Sequence, residues 1–109
     1  MATTFKSAVS GGVGTASGTL YTATSVTSLC VALNVTNILP SSTVQATVYF
    51  QKSGASTVKL AASALLAPGE ILVISGGDQR LVLQASDSIV VLSNLASSLD
   101  VVGGFLELS

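Results

Sequence analysis

The chain has 109 residues, enough for one domain with a single core and too few for two that each fold alone. Hydrophobic residues make up 49% of it but aromatic ones only 5%, with no Trp, so the core has to be assembled from Val, Leu, Ile and Ala. Charged residues are only 8%, against about 25% in an ordinary soluble domain, which leaves a surface ill suited to a free monomer, and histidine, the commonest general base and metal ligand, is absent.

Residues 1–17 are mostly Gly, Ser, Thr and Ala with isolated Phe5, Val9 and Val13, and they show no sustained period of two or 3.6. They read as an extended N-terminal arm that orders when laid on a partner. Phe5, Lys6 and Val9 are its candidate partner contacts, since an arm anchors where it has apolar atoms to bury. The opening Met1 to Lys6 lacks the charged start and apolar run of a secretory signal, so export by that route is not expected.

From residue 18 to 109 the pattern is one of strands. Over Thr27 to Thr36, Leu29, Val31, Leu33 and Val35 alternate with Cys30, Ala32, Asn34 and Thr36, as in a strand with one face in a core. Ile38 to Ser42 reads as a turn around Pro40, which cannot donate to a ladder. The strand after it sets Val44, Ala46, Val48 and Phe50 against Gln45, Thr47, Tyr49 and Gln51, so these two strands are expected to pair antiparallel.

Thr57 to Ala67 continues as strand; a helical turn at Ala61 to Leu66 is too short to stand, and Pro68-Gly69 stops it. Further strands are read at Glu70 to Ser75, Gln79 to Ala85, Ser88 to Ser93 and Leu99 to Leu108. Turns at Gly76-Gly77-Asp78 and Ser86-Asp87 and a loop at Asn94 to Ser97 divide them, and Gly103-Gly104 marks a bulge or a close approach of backbones. Roughly seven or eight strands at this spacing predict an all-β fold, an antiparallel β-sandwich of jelly-roll type over residues 18–109. The longest apolar stretches, Leu60 to Ala67 and Ile71 to Ile74, fall well short of the roughly 20 residues a membrane-spanning helix needs.

Little in the sequence points to chemistry. Cys30 is the sole cysteine, so no disulfide forms within one chain, and its apolar neighbours Leu29 and Val31 mark it as a buried structural thiol. Asp78 and Asp87 stand at turns, where short acids accept nearby backbone amides; as a catalytic pair they would have to share a cleft, and their spacing matches no EF-hand. Gly12-Val13-Gly14 and Gly76-Gly77-Asp78 lack the Lys-Ser or Lys-Thr of a phosphate loop. Asn34-Val35-Thr36 fits a glycosylation sequon, but mid-strand and without a signal peptide. The four basic residues form no nucleic-acid stripe. The expectation is a protein that is not an enzyme, with no catalytic residue, cofactor, metal, small-molecule substrate or nucleic-acid partner.

The segment Leu66 to Leu83, with Pro68-Gly69-Glu70 and Gly76-Gly77-Asp78-Gln79-Arg80-Leu81-Val82-Leu83, followed by Ser86-Asp87-Ser88-Ile89, resembles small virion structural proteins of tailed bacteriophages, especially cyanophages. The opening Met1-Ala2-Thr3-Thr4-Phe5-Lys6 and the ending Leu99-Asp100-Val101-Val102 through Phe105-Leu106-Glu107 are similar to theirs as well, although Ser86 stands where Gly is more usual. The resemblance implies a capsid decoration or cement protein: a jelly-roll homotrimer, made in the host cytoplasm, that sits on the phage head and grips the major capsid protein with extended arms. A tail, neck or fibre-base protein is the alternative. From another class, a carbohydrate-binding module would need aromatic platforms, for which only Tyr21 and Tyr49 are available.

Overall fold

In a computed structural model, which describes residues 3–24, 27–53, 57–76 and 81–108, the alternating segments become strands, and no helix forms among the described residues. They are β1 (Thr3–Val13), β2 (Gly18–Thr22), β3 (Thr27–Asn37), β4 (Val44–Gln51), β5 (Thr57–Leu66), β6 (Ile71–Ser75), β7 (Leu81–Leu83), β8 (Ser88–Ser93) and β9 (Leu99–Leu108). One sheet runs β1, β9, β3 and then β6, with β7 also paired to β3; the other runs β2, β8, β4, β5. Every pairing is antiparallel. β6 and β7 lie end to end along one side of β3, against Leu33 to Thr36 and Ser28 to Cys30, and so fill a single strand position. The chain changes sheet at every connection except β4 to β5 and β6 to β7, which is the jelly-roll sandwich expected from the strand spacing.

Two local expectations are corrected. β3 and β4 do not pair with each other, because the chain between them crosses from one sheet to the other. The buried Asn37 directs the crossing: its Nδ2 donates to the carbonyls of Ser42 and Leu66, each at 2.9 Å, and its Oδ1 accepts from Leu39 N–H at 2.9 Å. Its own backbone bonds Glu70 and Gly69. The side chain thus ties the crossing loop to the end of β5, and the backbone of the same residue ties it to the turn before β6.

The second correction concerns the arm. Thr3–Val13 is not laid out from the domain but is the edge strand of the first sheet, in register with β9 from Thr3 opposite Leu108 to Val13 opposite Leu99. Backbone pairing, available to any sequence, supplies the order that its side-chain pattern does not advertise. The register slips between Ser10 and Val13, where Gly12 has a φ of 64° and donates its N–H to Asp100 Oδ1 at 3.0 Å. Gly12 is therefore a bulge residue.

The core lies between the sheets and is built from small aliphatics around Leu33, Val35, Val44, Val48, Leu83, Ile89, Val91, Leu99 and Phe105. The alternation of β3 switches phase on the way: Ser28 and Cys30 face in, then Leu33, Val35 and Asn37. A bulge between Cys30 and Ala32, facing Phe105 and Gly104 of β9, inserts Val31 and causes the switch. Next to it, a Cβ on Gly103 would stand 2.8 Å from the Phe105 ring. Gly103 thus lets the ring fold under its own strand: the close approach at the glycine pair is that of a side chain, not of a second backbone, and the bulge lies on β3 opposite it.

Candidate functional site

The outward face of the first sheet is unusual in being apolar. In β1 the side opposite Phe5 and Val9 carries Thr4, Lys6, Ala8 and Ser10, of which only Ala8 and Ser10 are partly buried, while Phe5 and Val9, 77% and 75% exposed, face solvent. An edge strand of an ordinary sandwich has the reverse pattern. The inversion continues across the sheet. Val9 lies opposite Val102, Val102 opposite Asn34, and Asn34 opposite Val73, which is 61% exposed. A second row joins Phe5, Leu106, Leu29 and Val82. Between them runs a row of small residues, Ser7, Gly104 and Ala32. The face therefore carries two ridges about 13 Å apart, four residues of strand, with a trough between them.

Of the three sequence-predicted contacts, Phe5 and Val9 begin the two ridges, whereas Lys6 points the other way. Its ammonium pairs with Glu107 Oε1 at 3.3 Å. Glu107 Oε2 accepts the hydroxyl of Tyr21, which also lies 3.1 Å from Ser28 Oγ, and the Tyr21 ring stacks on Phe105 at 3.8 Å between centroids. The Tyr21 hydrogen bond, aided by Lys6 and opposed by burial, holds the Glu107 carboxyl below the usual range. Burial, then the bond to Glu107, pushes the Tyr21 phenol up. This chain of groups fastens β1 to β2 and β9 at one end of the sandwich, so the charge of Lys6 is engaged within the chain.

Asp87 is fully buried in the turn before β8 and accepts the amides of Ser53 at 3.0 Å and Gln84 at 2.8 Å, with Lys52 Nζ at 3.0 Å. Burial alone would raise its pKa, but the two amides and the ammonium outweigh it and hold the carboxyl low. Its oxygens are thus occupied, as the turn reading expects, and the cation beside them is Lys52. Ser86, just before it, takes a φ of 72°, the conformation in which Gly rests without strain. Asp78 lies outside the described residues. Among these, no three or more His, Cys, Asp or Glu side chains gather where they would hold a metal. Cys30 is buried, its Sγ 3.5 Å from the Ala32 carbonyl, and burial pushes its thiol up. Tyr21 is spent on the Glu107 and Phe105 contacts, leaving Tyr49 in a shallow groove on the second sheet with Gln51, Thr57 and Leu92, and Lys59 Nζ 6.0 Å from its ring.

Sequence reasoning missed the greater part of the apolar face: Ile71, Val73, Val82 and Val102. A signal for them exists. A sheet covered on both sides shows unbroken apolar runs instead of alternation, and Ile71 to Ile74, Leu81 to Leu83 and Val101-Val102 are such runs.

No protein-family model and no curated protein matches the chain. Solved structures share its fold. A chain from the acid-stable capsid of Helicobacter pylori bacteriophage KHP30 is 11% identical, with a TM-score of 0.59 over 99% of this chain and 89% of that one. A chain from Bacillus endospore appendages, described as disulfide-linked pili, is 9% identical, with a TM-score of 0.56 over 98% of this chain and 88% of that one. The fold is thus that of structural proteins of a phage capsid and of spore pili. The disulfide linkage has no counterpart in the exposed surface here, since Cys30 is enclosed.

Proposed function

We propose that the chain is a viral structural protein of the decoration or cement class, which binds the outer surface of a phage head and stabilises contacts between coat subunits. The supporting observation is the outward apolar face on a charge-poor jelly roll, a surface that makes sense only when neighbours cover it. On this reading the protein is not an enzyme: Asp87 is saturated, Cys30 is enclosed, and no histidine exists to activate either. Its work is mechanical, many modest interfaces summed over a lattice. The major capsid protein and further copies of this chain are its partners, and the virion is its place of action.

Quantitative mass spectrometry of purified particles tests the reading. Copy numbers on the order of hundreds per particle are expected of a lattice-wide protein. A dozen or fewer would assign it to the tail or neck instead.

A further inference from the structure

We propose that two copies of this chain pair face to face through the outward side of the β1, β9, β3, β6 and β7 sheet. The ridge of Phe5, Leu106, Leu29 and Val82 of one copy seats in the trough of Ser7, Gly104 and Ala32 of the other. The pairing rests on the reading of the chain as an assembly subunit and names one of its interfaces.

Three observations carry it. The first is area: Phe5, Val9, Ile71, Val73, Val82 and Val102, each about half to three-quarters exposed, leave roughly 600 Å² of apolar surface on one face, at the upper end of what a monomer tolerates. With the polar Ser7, Asn34 and Thr36 between them the face approaches the ~800 Å² per partner of a stable interface.

The second is charge. Among the described residues of these strands, Lys6 and Glu107 lie on the other side of the sheet, at its rim, and pair with each other, and only Asp100, at one end, faces outward. Apart from Asp100, whose Oδ1 accepts the Gly12 N–H, such a face offers little for a charged partner to complement, whereas a second apolar face suits it. The third is shape. Ridges separated by a trough of small side chains are self-complementary under a two-fold axis, the symmetry of most protein pairs. A Cβ on Gly104 would meet Val31 Cγ2 at 3.6 Å and Ala32 Cβ at 3.9 Å, ordinary contacts. The trough is therefore open above Gly104 for want of a side chain there, and Val31 and Ala32 of β3 bound it on one side.

The test is sedimentation equilibrium of the purified full chain between 1 and 100 µM, a range of concentrations chosen around ordinary dimer affinities, beside Val73→Asp, Val102→Asp and the gentler Phe5→Ser. Leu65→Asp, on the opposite sheet, is the control. Circular dichroism melts establish that each variant is folded. The expected result is a wild-type and control dimer, with dissociation weakened about tenfold by Phe5→Ser and more than a hundredfold by either aspartate. A wild-type chain that stays monomeric at the highest concentration overturns the pairing, as does a dimer lost in Leu65→Asp but kept in the other three. A monomer that binds empty coat shells through this same face also overturns it and gives the face to the coat protein. The copy-number measurement on particles is independent of all these outcomes.

Discussion

A single missing methyl group fixes where the largest core side chain lies. Phe105 sits against Gly103 and is stacked on Tyr21. The ring is held by both contacts, so Gly103→Ala is expected to cost about 1–3 kcal/mol through overpacking, read as a lower urea midpoint at unchanged slope. Asp87 offers a second test. Its carboxyl is lowered in the folded state, so the stability it confers is complete above its unfolded pKa, near 3.9, and is lost as pH falls through the lower folded value. Glu107, lowered by Tyr21 and Lys6, acts with the same sign. Melting temperature is expected to hold down to about pH 4 and then fall. Asp87→Asn should melt lower at neutral pH and show a flatter decline into acid.

Among the elements, the two ends of the sandwich are governed by different devices. At one end Asn37 pins the crossing from β3 to β4. Asn37→Ala leaves two carbonyls and an amide without partners and is expected to cost about 2–4 kcal/mol in chemical denaturation. At the other end β1 is held by the β9 ladder and the Lys6, Glu107 and Tyr21 contacts. Deleting residues 1–13 bares the edge of β9 and removes Val13 from the core, so the truncated protein is expected to melt lower and to aggregate on heating, as light scattering would show. An arm free of the domain would leave both measurements unchanged. These elements also show what could be read in advance. β8 and β9 are bounded in the sequence by turn residues and were legible to the residue, because Ser86-Asp87 and Asn94 to Ser98 punctuate them. The pairing of β1 was not legible, since a ladder of backbone hydrogen bonds leaves no mark on side chains. Nor was the β3 to β4 crossing, where a buried asparagine outweighs a turn motif that would equally serve a hairpin. Phe5 and Val9 stand out in the sequence by their isolation among small polar residues, and the structure exposes both, whereas Val73 and Val82 are hidden inside runs that also read as core.

Taken whole, the molecule has an apolar core between the sheets, a broad apolar face outside the first sheet, exposed Val58 and Leu65 outside the second, and nine charges to keep it dispersed. Association through such a face is driven by apolar burial and is nearly indifferent to ionic strength. Raising sodium chloride from about 0.05 to 0.5 M, which shortens the screening length severalfold, is expected to leave the dimer constant within a factor of about two; a tenfold weakening would show that charges hold the copies together. The same sheet has a temporal consequence. β1 leaves the ribosome about ninety residues before β9, its only ladder partner among the described residues. Throughout that interval Phe5 and Val9 travel on an unpaired strand, and the face to which they belong does not yet exist. Newly made chains therefore cannot recognise one another by this surface until each has closed its own sheet, which postpones assembly to the finished molecule.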